Sequence, residues 1–304
     1  MNKKEGFIIS VKSNWQLWML LLPAIFYVLI FCYQPMYGAL IAFKDFDPRL
    51  GIMGSEWVGL KYFKQFFETS IFEKTFRNTI LLSIYGLIWG FPIPIIFALL
   101  LNQIRNAKFK SFMQTITYAP NFISIVVLVG MVTLFLSSGS GFLTNIFEFF
   151  GAEDTLYLVR PEYFRTIYIA SGIWQSMGFS SIVFVAALTG VSPEFHESAM
   201  IDGASILKRI WYVDIPTILP TIVIMLILAV GNILSVGYEK DYLLQNGMNL
   251  EVSEIISTYV YKVGIQSAQY SFATAVGLFN SVINLVLLIL ANFFAKKTTE
   301  IGLF

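Results

Sequence analysis

The stretch 193–204 reads PEFHESAMIDGA. It lies between two long apolar runs, yet it places Glu194, His196, Glu197 and Asp202 within one short segment broken by Gly203. What surrounds it sets the class. Hydrophobic residues make up 57% of the 304-residue chain and charged residues only 13%. Soluble domains average about 25% charged residues, so this chain carries about half the usual charge. A helical membrane span needs about 20 mostly apolar residues. Six runs meet that demand, at 16–36, 78–101, 113–136, 166–189, 217–237 and 271–295. The expected fold is an all-α integral membrane bundle of six spans, a single domain over residues 1–304, with 190–216 as a loop between spans 4 and 5.

The segment from Met1 to Ser13 carries Lys3, Lys4 and Lys12 ahead of the first run, as a secretory leader does. The run is too long for a leader and no small-x-small cleavage site follows, so it reads as a retained first span. An even span count puts both termini on one side. The loops on that side hold about ten Lys and Arg in roughly sixty residues; the opposite loops hold as many in roughly a hundred. The 102–112 loop, with Arg105, Lys108 and Lys110 and no acid, is the clearest case. Both termini and the 190–216 loop are therefore expected in the cytoplasm. Among the long outer loops, WVGLKYFKQFF at 57–67 spaces its aromatics as a surface helix or an ordinary packed loop would.

The six runs hold no Asp, Glu, Lys or Arg. That weighs against a proton-coupled carrier and an intramembrane aspartyl protease. With His196 in a loop, a serine-type membrane protease is also disfavoured. There is no G-x-x-x-x-G-K-[ST] phosphate loop, and LSSGSG at 136–141 reads as a flexible turn after span 3. One His and one Cys give no metal site, and a net charge of +1 gives no case for nucleic acid. Pro92 and Pro94 are expected to break span 2, and Pro120 to interrupt span 3. Polar and aromatic residues at span depth are Tyr118, Asn121, Trp174, Gln175, Asn232, Asn280 and Asn284. They suit either a hydrated path for a neutral, hydroxyl-rich solute or interhelical hydrogen bonds.

Within the opening stretch, Ser192-Pro193-Glu194 has the chemistry of a helix start. Phe195, Ala199, Ile206, Ile210 and Val213 fall near one helical face, and Gly203 interrupts it. Two short helices bent at Asp202-Gly203 are expected, with Pro216 and Pro220 opening the next span. Such a pair suits docking into a groove on a partner protein; an ordinary polar loop is the alternative.

The run ESAMIDGA from Glu197 to Ala204, followed by VDIPTILP from Val213 to Pro220, resembles the EAA loop of permease subunits in binding-protein-dependent ABC importers. Glu197, Ala199, Asp202, Gly203, Ala204 and Pro216 match the pattern. Ser198, Val213 and Ile215 depart mildly from it. QPMYGALIAFKDFDP at 34–48, WVGLKYFKQFF at 57–67 and RNT at 77–79 are similar to the polysaccharide and oligosaccharide permeases within that family. The resemblance implies the type I importer permease fold, in a bacterial plasma membrane. It also implies a heterodimer with a second homologous permease, a cytoplasmic ATPase dimer that binds the ATP and magnesium, and an extracellular solute-binding lipoprotein that delivers a carbohydrate. This chain is then a non-catalytic subunit without a cofactor of its own. Phe195 and Ile206 join the matched residues as the ATPase contact. A self-contained secondary carrier or channel for a neutral polar solute is the competing reading.

Overall fold

The computed structural model describes residues 14–151 and 155–304. The lysine-bearing tail at 1–13 lies outside the described residues. Among the described residues, five helices are long and apolar enough to cross a membrane: Trp15–Phe43, Ser70–Gln103, Pro161–Leu188, Ile206–Gly231 and Tyr270–Thr299. The pair Ala107–Phe122 and Ile125–Phe135, bent by 102°, brings the count to six where it is taken as one broken span. These are spans 1, 2, 4, 5, 6 and 3 respectively. All six expected runs are found, but three details differ from expectation.

The prolines of span 2 do not break it. The helix passes through a wider π-helical segment, Gly86–Gly90, which ends two residues before Pro92. Span 1 does the same with Val28–Tyr33 ahead of Pro35, and span 5 with Ile210–Asp214 ahead of Pro216. A proline lacks its N–H and clashes with the carbonyl four residues back. Widening the preceding turn shifts that carbonyl out of register, so the helix continues.

Span 3 is interrupted more severely than the sequence suggests. Ala119–Phe122 tightens into a 3-10 turn around Pro120, and Ile123 is extended. Ser124 then caps the second half by accepting from the Val127 N–H. The freed Ile123 carbonyl accepts from Gln175 Nε2 of span 4 at 2.8 Å. A broken helix is tolerated at membrane depth only when such groups are re-satisfied inside the bundle. Gly178, one turn further along span 4, lies so close to the Thr117 backbone that a Cβ would overlap the Thr117 carbonyl. Gly190, in contrast, lies past the end of span 4 rather than in a helix contact.

The third difference is span 5, which starts at Ile206 rather than near 217 and ends at Gly231. A core of Ala98, Leu99, Phe184, Leu188, Val191 and Ile218 joins spans 2, 4 and 5. Gly231 brings span 5 against Leu288 of span 6. The stretch at 57–67 does form a helix, Lys61–Glu68, preceded by a two-residue antiparallel ribbon that pairs Lys44 with Trp57 and Asp45 with Glu56. Its Phe66 is buried against Ile256, Phe272 and Val276. Span 1 buries none of its apolar window.

At the end opposite 190–216, polar contacts add to the apolar packing. Asn78 donates to the carbonyls of Glu251 and Glu254 (2.8 and 3.1 Å) and accepts from Arg165. Lys262 pairs with Glu254 at 2.9 Å and donates to Gln245. Lys240 donates to the Tyr168 carbonyl and stands over that ring at 4.5 Å. Gly172 leaves room for it, since a Cβ there would stand 3.1 Å from the ammonium nitrogen. The neighbouring Asp241 is buried; Oδ2 accepts from Gln245, and Oδ1 has no partner. Burial, reinforced by the Glu254 charge, pushes the Asp241 carboxyl up to about 8.

Two outcomes follow from these contacts. Gly178→Ala overpacks the contact with Thr117 and is expected to cost about 1–3 kcal/mol, seen as a lower thermal midpoint in detergent. Asp241 holds a proton in the folded state that the unfolded chain releases above pH 3.8. Its contribution to stability is therefore full below that value and lost as pH rises to about 8. Asp241→Asn is expected to gain on the wild-type midpoint progressively as pH rises from about 4 to about 8, with the largest difference near pH 8.

Candidate functional site

The segment 193–204 folds as a capped helix and a built bend. Ser192 caps it by accepting from the Glu194 N–H, and Pro193 occupies the first turn of the helix Pro193–Ile201. Gly203 has φ +74°, the left-handed conformation. The Gly203 N–H donates to the Met200 carbonyl (3.1 Å), and the Ala204 N–H to the Ala199 carbonyl (2.8 Å). This pair of bonds is the Schellman termination, in which glycine takes the left-handed position without a Cβ penalty. Ser205 caps the helix that follows. The expected bend at Asp202-Gly203 is therefore present. The second arm, however, is not a separate short helix: Ile206–Arg209 runs through Ile210–Asp214 into span 5. Pro216 sits inside that continuous helix rather than opening a new one.

This elbow divides the predicted apolar face in two. Ile210 and Val213 pack on the core of spans 2, 4 and 5. Phe195 and Ile206 face outward, 62% and 54% exposed. Glu197, Asp202 and Gly203 are also exposed, and Ala199 and Ala204 are half-buried. Sequence reasoning missed Met200, Ile201, Leu207, Trp211 and Tyr212, all exposed apolar or aromatic residues around the same bend. The signal was the density of large apolar residues in a segment expected to be polar. Beneath the bend, His196 Nε2 stands 3.1 Å from Asp214 Oδ1, and Gln103 Nε2 donates to Asp214 Oδ2 at 3.0 Å.

The span residues fall into two groups. Asn280 and Asn284 face one cleft of about 500 Å³ and mixed lining between span 6 and the segment 256–265. Asn284 accepts from the Leu234 N–H and donates to Ser235 Oγ at 2.8 Å. Asn280 donates to the Leu234 carbonyl at 3.2 Å, and its Oδ1 is buried with no partner. These amides fasten span 6 to the chain after span 5, and they also line a cleft. That cleft adds three tyrosines the sequence reading missed. Tyr238 and Tyr261 stack at 4.7 Å, and Tyr270 stands nearby. Their chain segments are distant in sequence, so no local pattern announces them. Asn232 lines an adjoining cleft among spans 2, 4 and 5, and Ser235 borders both.

Tyr118, Asn121, Trp174 and Gln175 line neither cleft. Tyr118 and Asn121 lie at the break in span 3. Gln175 is engaged by the Ile123 carbonyl. Trp174 borders a separate, almost wholly apolar cavity of about 590 Å³ with Leu128, Phe135 and Phe147.

Five long apolar helices and a bent pair, a capped bend at one end and clefts between the spans fit a membrane-embedded transport subunit. The family described as binding-protein-dependent transport system inner membrane component matches residues 90–300, and the chain belongs to that family. It is similar to the polygalacturonan/rhamnogalacturonan transport system permease protein YteP of Bacillus subtilis (strain 168). The two are 42% identical, over 99% of this chain and 94% of the relative. It is also similar to a chain in the crystal structure of a bacterial ABC transporter involved in the import of the acidic polysaccharide alginate. There the TM-score is 0.86 at 39% identity, covering 97% of this chain and 99% of the other. A crystal structure of bacterial alginate ABC transporter with alginate pentasaccharide-bound periplasmic protein matches with TM-score 0.87 at 39% identity, covering 97% and 98%. The fold is thus that of an ABC importer permease, and the protein is a multi-pass plasma-membrane protein.

The bend gives a graded prediction. A Cβ on Gly203 meets nothing within 4 Å, so a substitution is strained by backbone conformation and not by space. Left-handed backbone costs an ordinary L-residue about 1–2 kcal/mol, and Asn least among them. Gly203→Asn is expected to keep most transport activity and Gly203→Val to lose it, as read by solute uptake in cells expressing the variants at equal level.

Proposed function

We propose that this chain is the permease subunit of an ATP-driven importer. It carries an oligosaccharide or polysaccharide fragment, handed over by an external solute-binding lipoprotein, across the plasma membrane. The observation that carries this reading is the elbow: a capped, glycine-bent projection whose Phe195, Ile201 and Ile206 are left uncovered by the rest of the chain. Exposed apolar residues rimmed by charge mark a docking surface. On this reading the elbow and both termini face the cytoplasm, where a separate ATPase dimer binds ATP and magnesium and grips the elbow through Phe195, Ala199, Ile206 and Glu197.

A second, homologous permease completes the path. The cleft with Tyr238, Tyr261, Asn280 and Asn284 suits a sugar, since aromatic faces pack on the ring and amides bond hydroxyls. The relatives' substrates, polygalacturonan/rhamnogalacturonan and alginate, point to carbohydrate as well.

Purification in mild detergent is expected to retain an ATPase and a second permease with this chain. Proteoliposomes holding the complete complex should take up oligosaccharide only with ATP inside and binding protein outside. Uptake by this chain alone, without a nucleotide-hydrolysing partner, would instead establish a self-contained carrier or channel.

A further inference from the structure

The elbow helix Pro193–Ile201 buries none of its residues. None of them belongs to the apolar core that unites spans 2, 4 and 5. A helix so placed is attached only by its flanking connectors unless a side chain fastens it. Among the described residues, the one side-chain hydrogen bond or ion pair between this helix and another element is His196 to Asp214.

That contact is built to hold. Asp214 is fully shielded from solvent, at 0% exposure, on the segment that leads into span 5. Its Oδ2 accepts from Gln103, the last residue of the span 2 helix, at 3.0 Å. Its Oδ1 lies at ion-pair distance, 3.1 Å, from His196 Nε2 and has no hydrogen-bond partner. One buried carboxylate thus joins the elbow helix, the end of span 2 and the start of span 5. A buried carboxylate that loses one partner is strongly destabilised, so the three elements resist separation.

We infer that His196 is a positioning residue, and that the His196–Asp214–Gln103 linkage carries displacement of the elbow helix into spans 2 and 5. This rests on the reading of the elbow as the ATPase contact. Without the linkage, the helix pivots about its connectors at 189–192 and 202–205, and ATPase closure moves the elbow while the spans stay behind. Hydrolysis then continues without import. Glu197 and Phe195 face outward to the partner; His196, on the same helix, faces inward to Asp214.

The test uses the complete importer in proteoliposomes: this chain, its partner permease, the ATPases and the binding protein loaded with an oligosaccharide. The readouts are the amount of ATPase retained and the solute moved per ATP hydrolysed. His196→Ala is expected to retain the ATPase and its hydrolysis while lowering solute per ATP by about fivefold or more. His196→Gln, whose amide donates to Asp214, should restore the ratio close to wild type. Gln103→Leu, which leaves the His196 contact in place, should give an intermediate ratio. A purely structural role would lower transport and hydrolysis together and leave the ratio unchanged, which overturns the inference. Should His196→Ala fail to assemble, a wild-type ratio in Gln103→Leu overturns it equally. A wild-type complex that holds no ATPase overturns the elbow reading itself, and the linkage with it.

Discussion

A chain in lipid has no water to bond its backbone, so every N–H and C=O released from a helix must find a partner within the protein. Much of this structure is a set of answers to that demand. The break in span 3 around Pro120 is tolerated because Gln175 reaches across to the Ile123 carbonyl. Span 6 is fastened to the unwound chain after span 5 because Asn280 and Asn284 bond the carbonyl and N–H of Leu234. Pro35, Pro92 and Pro216 are tolerated because a widened turn precedes each one. Between helices in a bilayer there is little hydrophobic driving force. These polar contacts, together with close approaches at Gly178 and Gly231, therefore decide which helices neighbour each other.

The two ends of the bundle use polar groups differently. At the far end, Asn78, Gln245, Glu254 and Lys262 form a dense network that joins spans 2 and 4 to the 245–262 segment. At the elbow end, one buried carboxylate and two partners hold a helix that contributes nothing to the core. The first arrangement spreads its load over many bonds. The second concentrates it at one point, as the proposed role of the elbow in passing motion to the spans would require.

The sequence made the elbow legible because its cues are local. Ser192, Pro193 and Gly203 each act on their own stretch of backbone, and the structure has each in its expected position. The approximate placement of the spans was legible for the same reason, since twenty apolar residues need no distant partner to be recognised. Where span 5 begins was not. Prolines at 216 and 220 read as a helix start, and only the π-helical segment before Pro216 lets the helix extend back to Ile206. The depth of the break in span 3 was equally hidden, because Pro120 alone does not reveal that Gln175, 52 residues away from Ile123, stabilises it. Of the residues proposed for a solute path, Asn280 and Asn284 lie together in one cleft, whereas Tyr118, Asn121, Trp174 and Gln175 border neither that cleft nor the adjoining one. An amide that lines a cavity and one that patches a helix look identical in sequence. Tyr238 and Tyr261 come together only through the chain reversal between spans 5 and 6.

The uncovered side chains around the bend have a consequence for the life of the molecule before it functions. Ile201 and Leu207 are 87% and 77% exposed, with Trp211 and Tyr212 beside them. Exposed apolar patches of this kind invite association. A single subunit whose bend is left bare is therefore expected to self-associate more readily than one whose bend is covered.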